Sequence, residues 1–378
     1  MAFKLTDEQR MIQLMVREFA KKEIEPVASE YEKKEIFPQE NLKKMAELGL
    51  MGMMIPPEYG GSGVGTVSYS IAMQEIAYAC ASTSVAMSVS NLSCEPILMF
   101  GSEEQKRRFL TPLASGKYLG AFALTEPEAG SDPASLRTRA ILKGDSYFIN
   151  GSKTFITNGS YADIFIVTAR TQEGVGGKGL SSFILEKGTP GFSVGKKEDK
   201  MGLRAADTVG LVFEDCQVPK ENLLGQEGDG FEIVMVALDG GRIGIASQAV
   251  GIAQACLDES VKYAKSRQQF GRYISKFQAI QWMIADMTTE IEAARLLTFN
   301  AASMKDDGLN FTREVSMAKL FASEMVNRVA YKALQIHGGY GYIKDYKVER
   351  LYRDARATTI YEGTSEVQRI VIARSALK

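Results

Sequence analysis

A chain of 378 residues is longer than one ordinary domain, and its length predicts two or three packed units around a large core. Apolar residues make up 45% of the chain and charged residues 24%, which is typical of a soluble globular protein. Lys and Arg total 45 against 46 Asp and Glu, and this balance argues against a nucleic-acid-binding protein, which would carry a basic face or tail.

The cysteines and the single histidine restrict the possible metal and redox sites. No Cys-x-x-Cys pair occurs, so we expect buried thiols rather than disulfides at Cys80, Cys94, Cys216 and Cys256. His337 alone excludes a His-rich metal site, and its place before two glycines disfavours a Ser-His-Asp triad. We therefore predict no metal centre.

The first residues predict a helix rather than a targeting segment. Residues 1–9 contain no apolar core followed by small residues, which argues against a secretory signal. Thr6 and Gln9 are spaced as a capping box. Because no run of about 18 apolar residues is uninterrupted, we expect no membrane span. The sequence predicts a cytoplasmic protein, or the mature form of an organelle enzyme.

Three regions with different sequence patterns follow one another along the chain. Residues 1–118 carry helical periodicity, seen near the N-terminus in the spacing of Met11, Leu14, Met15, Phe19 and Ile24. Residues 119–227 change to short β-rich runs broken by Gly-, Asn- and Pro-containing turns. Long helical patterns return over residues 228–378. This order predicts an α+β protein with an N-terminal helical domain, a middle antiparallel β-barrel or sandwich, and a C-terminal helical bundle.

One stretch matches the glycine pattern of phosphate-binding loops. Residues 174–179 read Gly-Val-Gly-Gly-Lys-Gly, but strand-like runs lie on both sides. A dinucleotide-binding loop of this kind needs a helix after it, so that the pyrophosphate meets a helix N-terminus. We therefore expect a hairpin loop here.

Glu362 is the strongest candidate for chemistry. It precedes Gly363 and an apolar, helix-like tail in which Ser365 and Gln368 are spaced as a capping box. This pattern predicts a carboxylate in a turn beside a helix N-terminus. Such a carboxylate can remove a proton from a substrate C–H bond if water is excluded; taken alone, the pattern also fits an exposed surface loop.

Several ordered motifs resemble the acyl-CoA dehydrogenase family. Residues 123–135 read Ala-Leu-Thr-Glu-Pro-Glu-Ala-Gly-Ser-Asp-Pro-Ala-Ser, and residues 361–364 read Tyr-Glu-Gly-Thr. Further matches, in the family's order, lie at residues 55–61, 153–159, 267–271 and 335–354. The resemblance implies FAD-dependent α,β-dehydrogenation of an acyl-CoA thioester, with Glu362 as the base that removes the α-proton. Once substrate is bound, we expect desolvation beneath the acyl chain to raise its pKa against the effect of the nearby helix N-terminus.

The resemblance also implies two groups of FAD contacts. Those expected along the flavin ring are Phe122, Leu124, Thr125, Gly130, Ser131, Phe155 and Thr157. Those expected at the pyrophosphate and adenine end of an FAD bound to a neighbouring subunit are Arg267, Gln269, Phe270, Phe277, Gln278, Gln335, Gly338 and Gly339. Thr364 and Glu366 are implied as further cofactor contacts. A cofactor shared between chains predicts an obligate homo-oligomer, and the family is usually tetrameric.

Substrate contacts are implied in the same way. Those expected near the CoA arm or the reacting carbonyl are Ser131, Asp239, Arg242 and Gly363. Some family members carry the base at the position of Gly241, where glycine cannot accept a proton, and this favours a straight-chain substrate. Residues 84–95 are implied to line the acyl pocket and are unusually polar for a long alkyl chain. A short, compact or cyclic acyl group is therefore expected.

The sequence leaves more than one electron acceptor possible. An electron-transfer flavoprotein is the expected partner, and an oxidase-like relative that uses oxygen is the alternative among enzymes. Since typical acyl-CoA oxidases carry an extra C-terminal domain, the compact length leads us to expect a dehydrogenase rather than an oxidase. A non-catalytic relative that binds flavin or CoA is a third hypothesis, against which the retained Glu362 and flavin motifs argue.

Overall fold

Helices form the first part of the computed structural model, which describes residues 4–377. They are α1 (Asp7–Phe19), α2 (Glu25–Lys34), α3 (Gln39–Glu47), α4 (Gly65–Ala79), α5 (Ala81–Phe100), α6 (Glu103–Gln105) and α7 (Thr111–Ala114). The capping box of Thr6 and Gln9 is present, and so is a second one formed by Ser102 and Gln105. The local sequence therefore sets where α1 and α6 begin.

The buried face of α1 differs from the predicted stripe. Met11 and Leu14 are exposed, whereas Val16 is fully buried. Met15 and Phe19 are partly buried against the core. Helix α1 packs along α4. The periodicity of the sequence allows more than one apolar face of α1 to be buried, and the contact with α4 decides which face it is.

A single sheet forms the middle part. Its strands are β1 (Gly120–Ala123), β2 (Arg139–Lys143), β3 (Ser146–Thr157), β4 (Ile164–Arg170), β5 (Leu180–Glu186), β6 (Phe192–Lys197), β7 (Thr208–Pro219) and β8 (Leu223–Leu224). They are ordered β6-β7-β3-β2-β4-β5-β8, and β1 pairs with β4. Most pairs are antiparallel, but β1 runs parallel to β4, so the chain enters the sheet from the helical part beside its centre.

Two features of the sheet test local predictions. The glycine stretch at residues 174–179 connects the antiparallel pair β4 and β5, which confirms the hairpin. Strand β3 is one continuous strand with two irregularities in its pairing with β7. The second irregularity contains Phe155, whose φ is +58°, and a tight turn with Asn158 at φ +67° follows the strand. These left-handed residues give the end of β3 a defined bend.

Long helices return in the last part and complete the predicted fold class. They are α8 (Gly230–Ser266), α9 (Gln278–Asp306), α10 (Thr312–His337), α11 (Lys347–Arg356) and α12 (Ser365–Ala376). A small hairpin of β9 (Gln268–Gln269) and β10 (Arg272–Tyr273) separates α8 from α9. Helix α8 packs against α4, α5, α9 and α10. It is long and apolar enough to cross a membrane, but most of its apolar stretch is buried inside the protein, as in a core helix.

The cap of α12 corrects one prediction. The N-cap is Thr364, whose hydroxyl accepts a hydrogen bond from the Val367 N–H, and Ser365 is already inside the helix. The reason is geometric, because the left-handed turn ends at Gly363 and leaves Thr364 as the first extended residue.

Buried acids join the three parts of the fold at residues 203–205. The Leu203 N–H donates to Asp354 on α11, and the next two N–H groups donate to Glu32 on α2. Burial and the facing charge of Glu32 raise the pKa of Asp354 to about 7. The middle part is therefore fixed to both helical parts by hydrogen bonds that water does not reach.

Candidate active site

Glu362 lies in a left-handed turn that is held from two helices. Its φ is +54° and that of Gly363 is +88°, and the first value is uncommon for a residue with a side chain. The Gly363 carbonyl accepts hydrogen bonds from Lys319 Nζ on α10 at 2.6 Å and from Gln368 Nε2 on α12 at 3.0 Å. These bonds, with the cap at Thr364, keep the carboxylate at one position.

The Glu362 side chain is half-buried, and one oxygen of its carboxyl group is shielded from water. Its Oε2 atom is buried and has no hydrogen-bond partner among the described residues. Burial raises the pKa of Glu362 to about 7, although the cations of Arg242 and Lys319 act to lower it. Desolvation therefore outweighs these two cations even without substrate, and the expected effect of bound substrate stays a prediction. A pKa near neutrality suits a group that accepts a proton during catalysis.

Glycines on α8 leave space for this carboxyl group. A Cβ atom at Gly241 would lie 2.7 Å from Glu362 Oε2, so a side chain there would occupy the same space. A Cβ at Gly244 would lie 2.8 Å from the Tyr69 hydroxyl, close to Ser88. The pKa of Tyr69 is raised by burial and, to a smaller extent, by the Glu362 charge. These side chains of α4 and α5 therefore lie near Glu362.

Asp239 and Arg242 form a buried ion pair one turn apart on α8. Arg242 Nη1 lies 2.6 Å from Asp239, whose other oxygen accepts a hydrogen bond from Thr312 at 2.6 Å. Arg242 Nε is buried without a partner, and a Cβ at Gly363 would lie 3.7 Å from its Nη2. Three of the four predicted substrate contacts thus meet beside Glu362. Ser131, the fourth, lies on an exposed loop after β1.

The polar face of α5 packs on the same side of α8. Glu95 contacts the position of Gly240 and forms an ion pair with Lys305 on α9. The Asn91 amide donates to the Met87 carbonyl at 3.0 Å, while its oxygen is buried without a partner. The partly buried ion pair and the unpaired amide oxygen give the region beside α5 a polar character.

The predicted flavin loop is anchored by a buried ion pair that the motifs did not reveal. Lys153 Nζ lies 2.7 Å from Glu126 and 2.9 Å from the Leu124 carbonyl, and both charged side chains are almost fully buried. The Thr125 carbonyl accepts from the Thr154 N–H at 2.8 Å. The backbone at residues 124–126 is therefore held rigidly against β3.

Other predicted flavin contacts of the middle part lie around this loop or at the end of β3. Phe155 is 64% exposed, and Thr157 is half-buried at the last position of the strand. Gly130 is exposed, with open space where a side chain would project, and Phe122 is half-buried. An open backbone beside an exposed aromatic ring fits a planar ring system such as the flavin.

The second predicted group lies on the C-terminal helical part. Arg267 packs over the Tyr340 ring at 5.4 Å, which joins the hairpin after α8 to the segment after α10. Phe270 is 92% exposed and meets Phe277 edge to face. The remaining members, Gln269, Gln278, Gln335, Gly338 and Gly339, are all exposed. Gly338 and Gly339 have open space around them, which fits a ligand close to the backbone.

Two remaining predicted cofactor contacts belong to α12. Thr364 is half-buried because its hydroxyl caps the helix, and Glu366 is exposed in the first turn. The helix N-terminus and the Thr364 hydroxyl lower the pKa of Glu366. Both residues follow Glu362 directly, so a cofactor that touches them would lie close to the base.

Lys319, Glu126 and Lys153 were missed by motif analysis. Lys319 is fully buried on α10, where it follows Ala318 and precedes Ala322 by one turn. A charged residue on an apolar helix face was the available signal. The partners of Glu126 and Lys153 come from separate segments, and the sequence alone does not pair them.

A cavity of about 730 Å³ lies elsewhere, between α1, α4, α8 and α9. Its lining includes Arg17, Glu75, Asp258 and Arg295, and it contains none of the predicted site residues. Several of its charged side chains are already paired, for example Arg17 with Glu75 at 2.7 Å. It is therefore separate from the site around Glu362.

Comparisons with known proteins agree with the geometry. The chain matches the acyl-CoA dehydrogenase N-terminal domain over residues 6–117, the middle domain over 121–216 and the C-terminal domain over 228–377. It is 52% identical to the short-chain-specific acyl-CoA dehydrogenase of Clostridium acetobutylicum, with 99% of each chain covered. Butyryl-CoA dehydrogenase from Megasphaera elsdenii superposes with a TM-score of 0.98 at 47% identity, over 100% of both chains.

A second solved structure is also very similar. It is described as the electron transferring flavoprotein of Acidaminococcus fermentans, studied towards a mechanism of flavin-based electron bifurcation. One of its chains superposes on this protein with a TM-score of 0.99 at 51% identity, and the match covers 100% of both chains.

The raised pKa of Glu362 predicts a pH-dependent stability. Its carboxyl group ionises at 4.5 in the unfolded chain but at about 7 in the folded protein. The cost of burying the charge therefore grows between these pH values and is constant above them. Glu362→Gln removes this cost, so the variant should be more stable than the parent above pH 7, by up to about 3 kcal/mol, and equally stable below pH 4.5.

Thermal unfolding midpoints across this pH range measure the effect. Glu366→Gln is the matched control, because this carboxylate is exposed and its pKa is lowered, so no gain should appear above pH 7. A Glu362→Gln variant whose stability follows that of the parent at every pH would show that the carboxyl group is not desolvated.

Proposed function

The chain belongs to the acyl-CoA dehydrogenase family, whose members are FAD-dependent oxidoreductases acting on CH–CH groups, and on this premise we propose its substrate and mechanism. The proposed reaction is α,β-dehydrogenation of a short or compact acyl-CoA to the 2-enoyl-CoA. Glu362 removes the α-proton. The supporting observation is its buried, unpaired Oε2 atom, held in a fixed turn with a pKa of about 7.

The residues around Glu362 support this role. A carboxylate without a hydrogen-bond partner has a free lone pair for a proton, and its buried position excludes competing water. Gly241 leaves the space that a second base would fill, so Glu362 acts alone in this design. When FAD is bound, it supplies the chemistry that accepts the hydride from the β-carbon.

The predicted flavin contacts fit FAD in position and character. The rigid backbone at residues 124–126 and Thr157 at the end of β3 would hold the polar edge of the ring. Arg242, with its unpaired Nε atom, and the turn at Gly363 would orient the thioester. Asp239 fixes Arg242 through their ion pair.

A short acyl group follows from the polar interior along α5. Burying methylene groups against the Glu95–Lys305 pair and the Asn91 oxygen would give little hydrophobic stabilisation. The similarity to a short-chain-specific enzyme and to a butyryl-CoA dehydrogenase supports the same range.

We further propose an electron-transfer flavoprotein as the electron acceptor and a homotetramer as the assembly. The first rests on the similarity to a chain in a structure described as an electron transferring flavoprotein. The second rests on the exposed group around Arg267 and Phe270, which a neighbouring subunit and its FAD would cover.

Replacing the base tests the mechanism directly. Glu362→Gln keeps the size of the side chain but removes the proton acceptor, so FAD and acyl-CoA should still bind. Anaerobic flavin reduction by butyryl-CoA, followed by stopped-flow absorbance, should slow by about 10²–10⁴-fold. Glu362→Asp should keep partial activity, because its carboxylate is one methylene shorter. A Gln variant that reduces its flavin at the parent rate would exclude Glu362 as the base.

Changes on α5 test the acyl specificity. The double variant Glu95→Leu/Lys305→Met replaces the ion pair without leaving one charge buried alone, and Asn91→Leu removes the unpaired amide. Each should move the optimum towards longer acyl chains. For a substrate with two more methylenes in the pocket, kcat/KM relative to butyryl-CoA should rise by about 10-fold. Titration with acyl-CoAs of graded length measures this, and flavin content should stay constant. An unchanged optimum would show that α5 does not shape the pocket.

Arg267→Ala tests the shared cofactor site. If one guanidinium serves an FAD held between subunits, the variant should lose flavin and dissociate together. Flavin absorbance and sedimentation velocity measure the two effects. Lys265→Ala, an exposed change two residues away at the end of α8, is the control that should retain both. A monomeric Arg267 variant with full flavin content would contradict the shared site.

A further inference from the structure

Lys319 is a buried cation that the proposed reaction has not yet used. Its side chain is fully buried on α10, and its Nζ donates to the Gly363 carbonyl at 2.6 Å. Among the described residues it forms no salt bridge, in contrast to Arg242, which is paired with Asp239. Desolvation lowers the pKa of Lys319 to about 8, and the charge of Glu362 acts to raise it. The two groups thus influence each other electrostatically across the turn.

A neutral donor would be sufficient to hold the turn. Gln368 Nε2 already donates to the same Gly363 carbonyl and also to the carbonyl of Glu362, at 3.3 Å. Burying an ammonium group costs several kcal/mol more than burying an amide. A buried charge at this place is therefore explained by the group on which it acts, and the strongest charge that acts on Lys319 is that of Glu362.

We propose that Lys319 is a positioning residue which fixes the turn of the base through Gly363 and, by its charge, sets the proton affinity of Glu362. This inference rests on the proposed role of Glu362. Without the cation, burial would hold the carboxyl group protonated over a wider pH range. Lys319 thus helps to keep Glu362 ionised near neutral pH, although burial of the carboxyl group favours its protonated form.

The charged and titratable groups around Glu362 define what else could produce this effect. They are Tyr69 on α4, Arg242 on α8, Lys319 on α10 and the adjacent Tyr361, with Glu324 and Glu366 acting on Lys319 from α10 and α12. Only Arg242 and Lys319 favour the ionised carboxylate. Arg242 has the larger effect of the two, but it is also paired with Asp239, whereas Lys319 forms no salt bridge among the described residues.

The experiment titrates Glu362 itself in the FAD-loaded protein without substrate. The infrared C=O band of the protonated carboxyl group is identified as the band that Glu362→Gln removes, and its pH midpoint is followed. Lys319→Met should raise this midpoint by about 1–3 pH units, because one nearby opposite charge is lost. Lys319→Arg should keep the midpoint near that of the parent. Lys332→Met, on the same helix but paired with Asp286 and Glu290, should not change it.

A second variant separates charge from hydrogen bonding and covers a Met variant that does not fold. Lys319→Gln keeps a donor for Gly363 but has no charge, so its midpoint should also rise. The pH profile of flavin reduction by butyryl-CoA should move upward with the infrared midpoint. Unchanged midpoints in folded Gln and Met variants would overturn the proposal. Failure of every acyl-CoA to reduce the flavin of the parent would instead contradict the proposed function, since the infrared titration needs no turnover.

Discussion

A carboxylate kept away from water is the constraint on which the rest of the site depends. Ionised carboxylates are expensive to bury, and Glu362 has no hydrogen bond to its Oε2 atom. The fold offsets this cost with the nearby cations Arg242 and Lys319 rather than with hydrogen bonds, which would occupy the oxygen. The result is a pKa of about 7, where the group exchanges protons readily and still has a free lone pair.

The site exists only when the three parts of the chain are packed together. Glu362 comes from the last turn before α12, the polar wall comes from α5, and the anchored loop comes from the middle sheet. Glu32 and Asp354 join these parts by accepting hydrogen bonds from the backbone of residues 203–205. These residues are far apart in sequence, so local propensities do not determine the contacts. Packing between the parts therefore determines how well water is excluded from the site. Local unfolding at one junction would let water reach Glu362.

The sequence predicts features that depend on neighbouring residues and misses contacts between residues that are far apart in the chain. The capping boxes, the order of helical and β regions and the turn at Glu362 each depend on neighbouring residues. The cap at α12 lies one residue earlier than predicted, since the left-handed turn already ends at Gly363. Lys319 and Gly363 are 44 residues apart, and Lys153 and Glu126 are 27 apart. Such pairs form through tertiary packing, and one sequence carries no signal that joins them.

Gly241 shows how the architecture limits the position of the base. A Cβ atom at this residue would lie 2.7 Å from Glu362 Oε2, so side chains at positions 241 and 362 compete for one volume. Helix α8 and the turn before α12 thus offer two routes for a carboxylate to reach the same place. Only one can be used, because two carboxylates there would repel each other and overfill the space. Glycine on α8 therefore lets the Glu362 carboxyl group keep its position, whereas any side chain at residue 241 would have to displace it.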